Sequence, residues 1–575
     1  MSVGLLIALA CPERRTDGCE PTSVDSMVDS RGADTSRDSG PDSSVPIDSA
    51  EPCDSGETYF ADRDGDGFGD GSRVSTCDDP HGVAVVAGDC DDNNAAVHPE
   101  ASEAATTGVD DNCDGALAAM PLDDVASWEV LGDDAGHSDG LGDGVAFVGD
   151  VGCDGGRAFA VVESLGRDEE GNWHSGAGYI FAGSPAALTP SVTPEDAGAT
   201  LVGGALEQLA WMSGLGDFDG DGCDDLAFGG YGEAYGVDDG QVYVVLGPVE
   251  AGFTNLGTAA SDAEGVQRYT DERGGTQLGR NIGPGDVDGD GLGELVVAAS
   301  DASGRLDGAG AVFILTRLNG QGDVASARTV LLGSREDGGN NIGQTLTSTG
   351  DLDGDGLADF ATGASSGGAY LVTGPPPEGV SLMADVATLV VWDAAEPTRQ
   401  GVPFVQTLGD IDGDGSVDLG ASWGGDYLQV TFGPFGGLDV LELGTVGGAF
   451  LVSPNGGAES IVVAAAGVGD WNGDGSNDMV VGNHAYIPDE LRVDASCIYE
   501  GKNDCTAGGV FVLAGPVVPG TVDLDVEADV VFGANEDEMI GYVLVSGADV
   551  SADGVWDLLL GGKQRRRAEL VLGGP

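Results

Sequence analysis

From residue 121 to residue 575 the chain alternates between short apolar runs and stretches rich in Gly and Asp. Runs such as Glu294-Leu-Val-Val-Ala-Ala299, Ala311-Val-Phe-Ile-Leu315 and Asp359-Phe-Ala-Thr-Gly363 are too short for buried helices, and their Gly/Asp borders predict strands. The runs recur in a fixed order. An Asp/Gly loop leads into an apolar strand. A glycine-led strand follows and ends in Gly or Gly-Pro, as in Gly178-Tyr-Ile-Phe-Ala-Gly183, Gln241-Val-Tyr-Val-Val-Leu-Gly-Pro248 and Val510-Phe-Val-Leu-Ala-Gly-Pro516. In most copies a fourth strand comes next, as in Ala199-Thr-Leu-Val-Gly203 and Arg328-Thr-Val-Leu-Leu-Gly333. The loops begin at Asp150, Asp217, Asp286, Asp351, Asp410, Asp470 and Asp549, 59 to 79 residues apart. In a strand-rich chain that period fits one four-stranded blade per repeat. The fold class is therefore all-β: a seven-bladed β-propeller over residues 121–575, preceded by a small metal- and disulfide-stabilised module. The chain stops after the third strand of its last repeat. Ser127-Trp-Glu-Val-Leu-Gly132 has the character of the missing strand and is expected to close the ring beside Glu569–Leu572, which removes exposed sheet edges.

The loop carries the chemistry. Asp217-Phe-Asp219-Gly-Asp221-Gly-Cys-Asp-Asp225 has carboxylates at positions 1, 3, 5 and 9 and Gly at position 6. That arrangement turns a short loop sharply and converges hard oxygens on a cation such as calcium. Asp286/Asp288/Asp290/Glu294, Asp351/Asp353/Asp355/Asp359 and Asp410/Asp412/Asp414/Asp418 are equally complete, and the backbone carbonyls of Cys223, Leu292, Leu357 and Ser416 are expected as position-7 ligands. Asp470/Asn472/Asp474/Asp478, with Ser476, and Asp549/Ser551/Asp553/Asp557, with Val555, each exchange one carboxylate for a neutral oxygen and should bind more weakly. The Asp150 loop lacks carboxylates at positions 3 and 9 and is expected to stay empty. Several carboxylates in one loop repel unless a divalent ion sits among them, so the ions should be mainly structural.

The companions of each loop complete a pattern. These repeats resemble the FG-GAP repeats of integrin α-chain propellers and their bacterial relatives, over roughly residues 121–575. The resemblance implies a non-enzymatic propeller that binds an extracellular protein or glycan ligand, as in adhesion, on the face away from the calcium loops.

The N-terminal part reads differently. Residues 1–11 hold a short apolar run that ends at Cys11 and resembles a lipoprotein signal, which implies an exported protein held by lipid to the outer membrane of a Gram-negative bacterium. Residues 12–57 are rich in Ser, Asp, Pro and Thr and should form a self-repelling tether. Residues 58–116 run Asp62-Arg-Asp64-Gly-Asp66-Gly-Phe-Gly-Asp70, Cys77, Gly88-Asp89-Cys90-Asp91-Asp92-Asn93, His98-Pro99-Glu100 and Asp110-Asp111-Asn112-Cys113-Asp114-Gly115. This order resembles a small metal-binding module of secreted bacterial proteins and thrombospondin type 3 calcium repeats. Asp62, Asp64, Asp66 and Asp70 are its candidate ligands; oxygen donors favour calcium, and His81 with His98 makes a poor copper set. Cys77, Cys90 and Cys113 leave one cysteine over, with Cys53 nearest, and the spacing does not fix the pairing. Cys497 with Cys505 reads as a disulfide in an insertion at 486–504, while Cys153 and Cys223 either pair or stay separate thiols.

Composition narrows the partners. A net charge of −77 argues against nucleic acid and anionic membrane surfaces and favours cations. No later stretch is apolar enough to span a bilayer, so only a lipid on Cys11 would hold this chain to a membrane. No catalytic signature stands out among the five histidines or the carboxylates. The expectation is a monomeric calcium-binding propeller. A lyase-like enzyme on the same scaffold, or a ligand-free envelope scaffold, is the alternative. Arg565-Arg566-Arg567 is expected in the turn before the last strand.

Overall fold

A computed structural model describes residues 59–74, 82–90, 92–95, 97–99, 113, 120–121, 128–132, 140–164, 175–182, 191–204, 207–230, 240–257, 265–271, 276–300, 309–315, 321–333, 341–364, 368–392, 403–423, 428–435, 440–442, 448–452, 462–472, 475–483, 508–524, 528, 530–533, 540–552, 554–562 and 567–573. The chain divides into two compact units, Met1–Gly56 with Ser75–Asp78, and Glu57–Val74 with Asp79–Pro575. The first lies wholly outside the described residues, and with it Cys11, Cys53, Cys77 and the expected signal and tether.

The second unit contains seven five-stranded sheets, the blades of a propeller. Blade 1 shows the plan: Leu141–Gly149, Ala158–Glu163, Ala177–Ala182 and Ala199–Val202 form an antiparallel meander. The second strands of blades 2, 3 and 4, Asp225–Gly230, Glu294–Ala299 and Asp359–Gly363, are buried along their whole length, because each lies mid-sheet with a neighbouring blade on both faces. First strands pack against the first strands of both neighbours and so ring the axis.

Each blade has one strand more than the four expected. Gly252–Asn255 leaves the connection between the third and fourth strands of blade 2 and pairs parallel with the outer strand of blade 1. Gln321–Asp323, Gly379–Leu382, Val440–Glu442 and Gly520–Asp523 do the same for blades 2 to 5. Each repeat thus straps the edge of the preceding blade and covers backbone groups that would otherwise be an open edge.

The ring closes where expected. Trp128–Leu131 pairs antiparallel with Arg567–Val571, in the register Arg567↔Leu131 to Leu570↔Trp128. Met120–Pro121 straps blade 6, so together with Trp128–Leu131 the N-terminal segment supplies both missing pieces of the last repeat, and Ser191–Val192 of blade 1 straps blade 7. The core is likewise circular: seven apolar clusters sit between successive blades, and the closing one joins Trp128 and Val130 to Leu559 and Leu570 of blade 7 and Phe159 and Phe181 of blade 1. Phe159 stands between Trp128 and Phe181, with ring centroids 5.6 and 5.3 Å away. Arg567 departs from the sequence reading. It is a buried strand residue, ion-paired with Glu569 beside it and with Glu129 of the closing strand at 3.3 Å, while Arg565 and Arg566 lie outside the described residues.

The N-terminal module is small: Arg73–Val74, Tyr59–Ala61 and Val83–Ala84 form one sheet, and Phe68–Gly69 with Val86–Ala87 another. Cys90 and Cys113 form a disulfide.

Candidate metal centres

Every Asp loop joins the first strand of its blade to the second, so all seven lie on one face of the ring. The loop is shaped from within. In blade 4, Asp351 at position 1 accepts the N–H groups of Gly354 (2.7 Å) and Gly356 (2.9 Å). Asp353 accepts that of Asp355 (3.2 Å), and Asp355 that of Leu357 (2.9 Å). Blades 2, 3 and 5 repeat these bonds through Asp217, Asp286 and Asp410 at position 1, Asp219, Asp288 and Asp412 at position 3, and Asp221, Asp290 and Asp414 at position 5. The carboxylates point inward because the loop's own amides hold them, a local effect of Asp beside Gly in turns.

Position 9 is a different kind of group. Asp225, Glu294, Asp359, Asp418, Asp478 and Asp557 are buried. One oxygen of Asp225 accepts the N–H of Phe218 (2.8 Å) and Asp219 (3.2 Å), while the other accepts that of Gly247 (2.7 Å) after the third strand. Gly374, Gly433, Gly515 and Gly573 serve Asp359, Asp418, Asp478 and Asp557 in the same way. The close approach behind this bond explains the glycine in these blades: a Cβ at Gly515 or Gly573 would collide with the position-8 carbonyl of Asn477 or Trp556.

The sequence reading overlooked position 2. Val151, Phe218, Val287, Ile411, Trp471 and Val550 are buried there as plugs beneath the loops. It also overlooked position 8, which ties one loop to the next: the amides of Asp224 and Ala358 donate to the carbonyls of Asp150 (3.3 Å) and Asp286 (2.9 Å), and Asn477 Nδ2 donates to that of Asp410 (3.0 Å).

Among the described residues, five carboxylate groups bring one oxygen from each of three residues within 4.8 Å of one another: Asp62/Asp64/Asp66, Asp217/Asp219/Asp225, Asp286/Asp288/Asp290, Asp351/Asp353/Asp355 and Asp410/Asp412/Asp418. These are the loops complete in sequence. Asp221, Glu294, Asp359 and Asp414 stay outside their groups, and Asp70 accepts the amide of Ser72 and pairs with Arg63 (3.5 Å) instead. In blade 3 the Arg328 guanidinium lies on Asp288 and also meets Glu378 (3.1 Å).

The loops of blades 6 and 7 keep the shape of the others at position 1. Asp470 and Asp549 accept the amides of Gly475 and Gly554 as their counterparts do, and Asp474 and Asp553 lie outside the described residues. Position 3 carries the neutral side chains of Asn472 and Ser551, so the five carboxylate groups do not include these two loops. The Ser551 hydroxyl donates to Asp549 at position 1 (3.2 Å). It is a donor there because a neutral hydroxyl beside a carboxylate is attracted to it, where a second carboxylate would be repelled. The backbone amides of Asn472 and Ser551 donate to the position-9 carboxylates Asp478 (3.1 Å) and Asp557 (2.9 Å), which fixes the loop path. Both residues therefore serve the fold of their loops, whether or not an ion is bound.

The donors of the five groups suit a hard cation: they are carboxylate oxygens throughout, and Asp64 Oδ2 and Asp66 Oδ2 of the module are buried without a hydrogen-bond partner. His98 stacks on Phe68 at 4.8 Å and belongs to none of the five groups, and His81 lies outside the described residues.

The structure is an Asp-loop propeller in which most third strands end at a glycine, and the matching family model is the FG-GAP repeat, over residues 278–315 and 343–379. Blades 3 and 4 thus carry FG-GAP repeats, within a seven-bladed propeller. A second model, Cu-binding MopE, described as a "Putative metal-binding motif", matches residues 89–118 of the module, beyond its Asp62 loop. Among curated relatives, integrin alpha-5 of Xenopus laevis is 27% identical over 214 residues, 34% of this chain and 20% of that protein. Integrin alpha-PS2 of Drosophila melanogaster is 28% identical over 233 residues, 37% of this chain and 15% of that protein. The chain therefore spans a fifth or less of the relatives it matches. A crystal structure of BBS1N in complex with ARL6DN, soaked with lead, has TM-score 0.42 at 10% identity over 78% of this chain and 97% of that one; its mercury-soaked counterpart has 0.39 over 78% and 96%.

Two expectations concern the FG-GAP ring. Burial, against the opposing backbone amides and with neighbouring carboxylates adding to it, pushes Asp225, Asp359 and Asp418 up to about 6 and Glu294 up to about 7. Their folded values exceed the ordinary 3.8 and 4.5, so over this range the folded chain binds more protons than the unfolded chain. Their ionisation removes stability as pH rises from about 4 through 7. Melting of the ion-free protein is thus expected at higher temperature at pH 5 than at pH 7.5; a melting point that climbs over this interval would contradict it.

The Asp150 loop keeps its shape through Asp150, which accepts the amides of Asp154 (3.0 Å) and Gly155 (2.9 Å), and a disulfide from Cys153 to Cys223 ties it to the blade 2 loop. Replacing both cysteines by serine is expected to cost about 2–4 kcal/mol in calcium-containing buffer. Urea denaturation measures it, and unchanged stability would show that the bridge fastens nothing.

Proposed function

We propose that this chain is an exported, calcium-loaded FG-GAP propeller that presents a binding surface to a protein or glycan outside the cell, and that it binds rather than catalyses. The observation that carries this reading is the contrast between the two faces. The Asp loops are alike in length. The segments joining second to third strands depart from the opposite face, and those at 164–176, 231–240, 300–310, 364–368, 424–427, 484–508 and 562–566 run from 4 to 25 residues. Uniform loops on one face and variable ones on the other suit a fastened scaffold that carries its specificity on the variable side. The resemblance to integrin α-chains supports the same division.

In this reading calcium occupies the loops of Asp217, Asp286, Asp351 and Asp410 together with the Asp62 loop, and more weakly those of Asp470 and Asp549. The carbonyls of Cys223, Leu292, Leu357, Ser416, Ser476 and Val555 add ligands at position 7, and Cys11 carries a lipid beyond a tether ending near residue 57. The insertion with Cys497 and Cys505, which lies outside the described residues, belongs to the variable side. Arrays of glycans and surface proteins probed with the full chain, in calcium and in EDTA, test the reading. Calcium-dependent capture of an extracellular ligand, lost when 486–504 or another variable segment is replaced by Gly-Ser, is the expected result. Turnover of a polysaccharide, or no ligand at all, would overturn it.

A further inference from the structure

We propose that the ring carries a further ligand site, on the face of the Asp loops: a carbohydrate-binding cavity at the mouth of the axis, with Trp556 as its stacking platform. It does not depend on what the variable face binds. The first strands of blades 4 to 7 end around a cavity of about 350 Å³, within the size class of small-ligand pockets. Its lining mixes apolar groups with the hydroxyl and amide groups of Thr349, Gln406, Asn477 and Ser546, and Asp351 is its one charged group.

Trp556 is the unusual residue. It occupies position 8 of the blade 7 loop, where the other six loops carry Arg157, Asp224, Gly293, Ala358, Val417 and Asn477. Its side chain lies against Gly469, with ring atoms 3.7 Å from where a Cβ would stand, and yet the residue remains 44% exposed. A large apolar ring left in water at the rim of a cavity that also holds hydroxyl and amide groups is a surface in want of an apolar face. A pyranose offers one, with hydroxyls around its edge.

The polar groups suit those hydroxyls. Thr349 is 4% exposed, and its Oγ1 is buried with no hydrogen-bond partner. A buried hydroxyl of that kind is satisfied when a ligand hydroxyl enters. Ser546 Oγ donates to the carbonyl of Gly467 (2.6 Å) and keeps acceptor capacity, and Asn477 donates to Asp410 while its amide oxygen can accept. The lining has no cationic side chain to meet an anion. Recognition of a quaternary ammonium calls for several ring faces, and the lining has one aromatic residue. A neutral mono- or disaccharide fits this combination.

The test is titration of the calcium-loaded full chain with glucose, galactose, N-acetylglucosamine, cellobiose, lactose and chitobiose, read by calorimetry and saturation-transfer NMR, with choline as the cationic comparison. Saturable binding of at least one saccharide at one site per chain is expected. Trp556→Ala should weaken it at least tenfold and Gln406→Ala at least threefold, with melting curves in calcium unchanged. Should Trp556→Ala alter the melting curve, Trp556→Phe, which should retain binding, and Gln406→Ala, which should not, decide the question. No saturable binding of any of the six sugars, equal affinity in wild type and variants, or binding of choline in their place would overturn the proposal.

Discussion

Removal of divalent ions with EDTA is expected to lower the melting temperature of the full chain by roughly 10 °C or more. Four ring loops each hold three carboxylates with oxygens within 4.8 Å of one another, and in each the buried position-9 carboxylate has its ionisation opposed by burial and by those neighbours. A divalent ion reverses the sign of that interaction. One site held at a hundred times its dissociation constant gains about 2.7 kcal/mol, so four sites together give about 11 kcal/mol. The effect should be cooperative, because position 8 of one loop bonds to the loop before it. Differential scanning calorimetry with EDTA and after calcium readdition measures it. A melting curve that does not move would mean that the backbone amides alone hold the loops.

Cutting away the closing strand should have the second large effect. A chain beginning at Leu117 keeps Met120–Pro121 and Trp128–Leu131, whereas one beginning at Asp133 loses both. The longer chain is expected to melt cooperatively near the temperature of the intact ring. In the shorter one, buried Trp128 and Val130 are gone, at about 2–3 kcal/mol each, and Arg567 loses Glu129. The third strand of blade 7 then becomes an open edge, so aggregation is expected. Gel filtration and circular dichroism of the two proteins decide it. Equal folding of both would show that closure by Trp128–Leu131 is dispensable.

The seven loops and the strands beside them were legible in the sequence because their causes are local. Gly at position 6 and Asp at position 1 fold the nine-residue loop through its own amides, as the bonds of Asp351 to Gly354 and Gly356 illustrate. Ring closure was legible for a related reason, since a repeat lacking its last strand points to the other end of the chain. The fifth strands were not legible. Gln321–Asp323 and Val440–Glu442 have three residues each, and Val440 is exposed, so no apolar period marks them; only the neighbouring blade's edge makes them strands. The plugs at position 2 are hidden by the acidic residues around them, and Arg567 reads as part of a basic turn until its pairing with the closing strand is seen. The separate character of position 9 also depends on tertiary contact. Asp225 has the same side chain as Asp217, but the amide of Gly247, after the third strand, anchors one of its oxygens in the interior while the residue still belongs to the Asp217/Asp219/Asp225 group.

The most direct test of a ring fastened by ions is to count them. Elemental analysis of the full chain after dialysis from calcium into metal-free buffer should give at least four calcium ions per chain, with Asp217→Ala removing one and leaving the others in place. Less than one ion per chain, or a count that Asp217→Ala does not change, would contradict it.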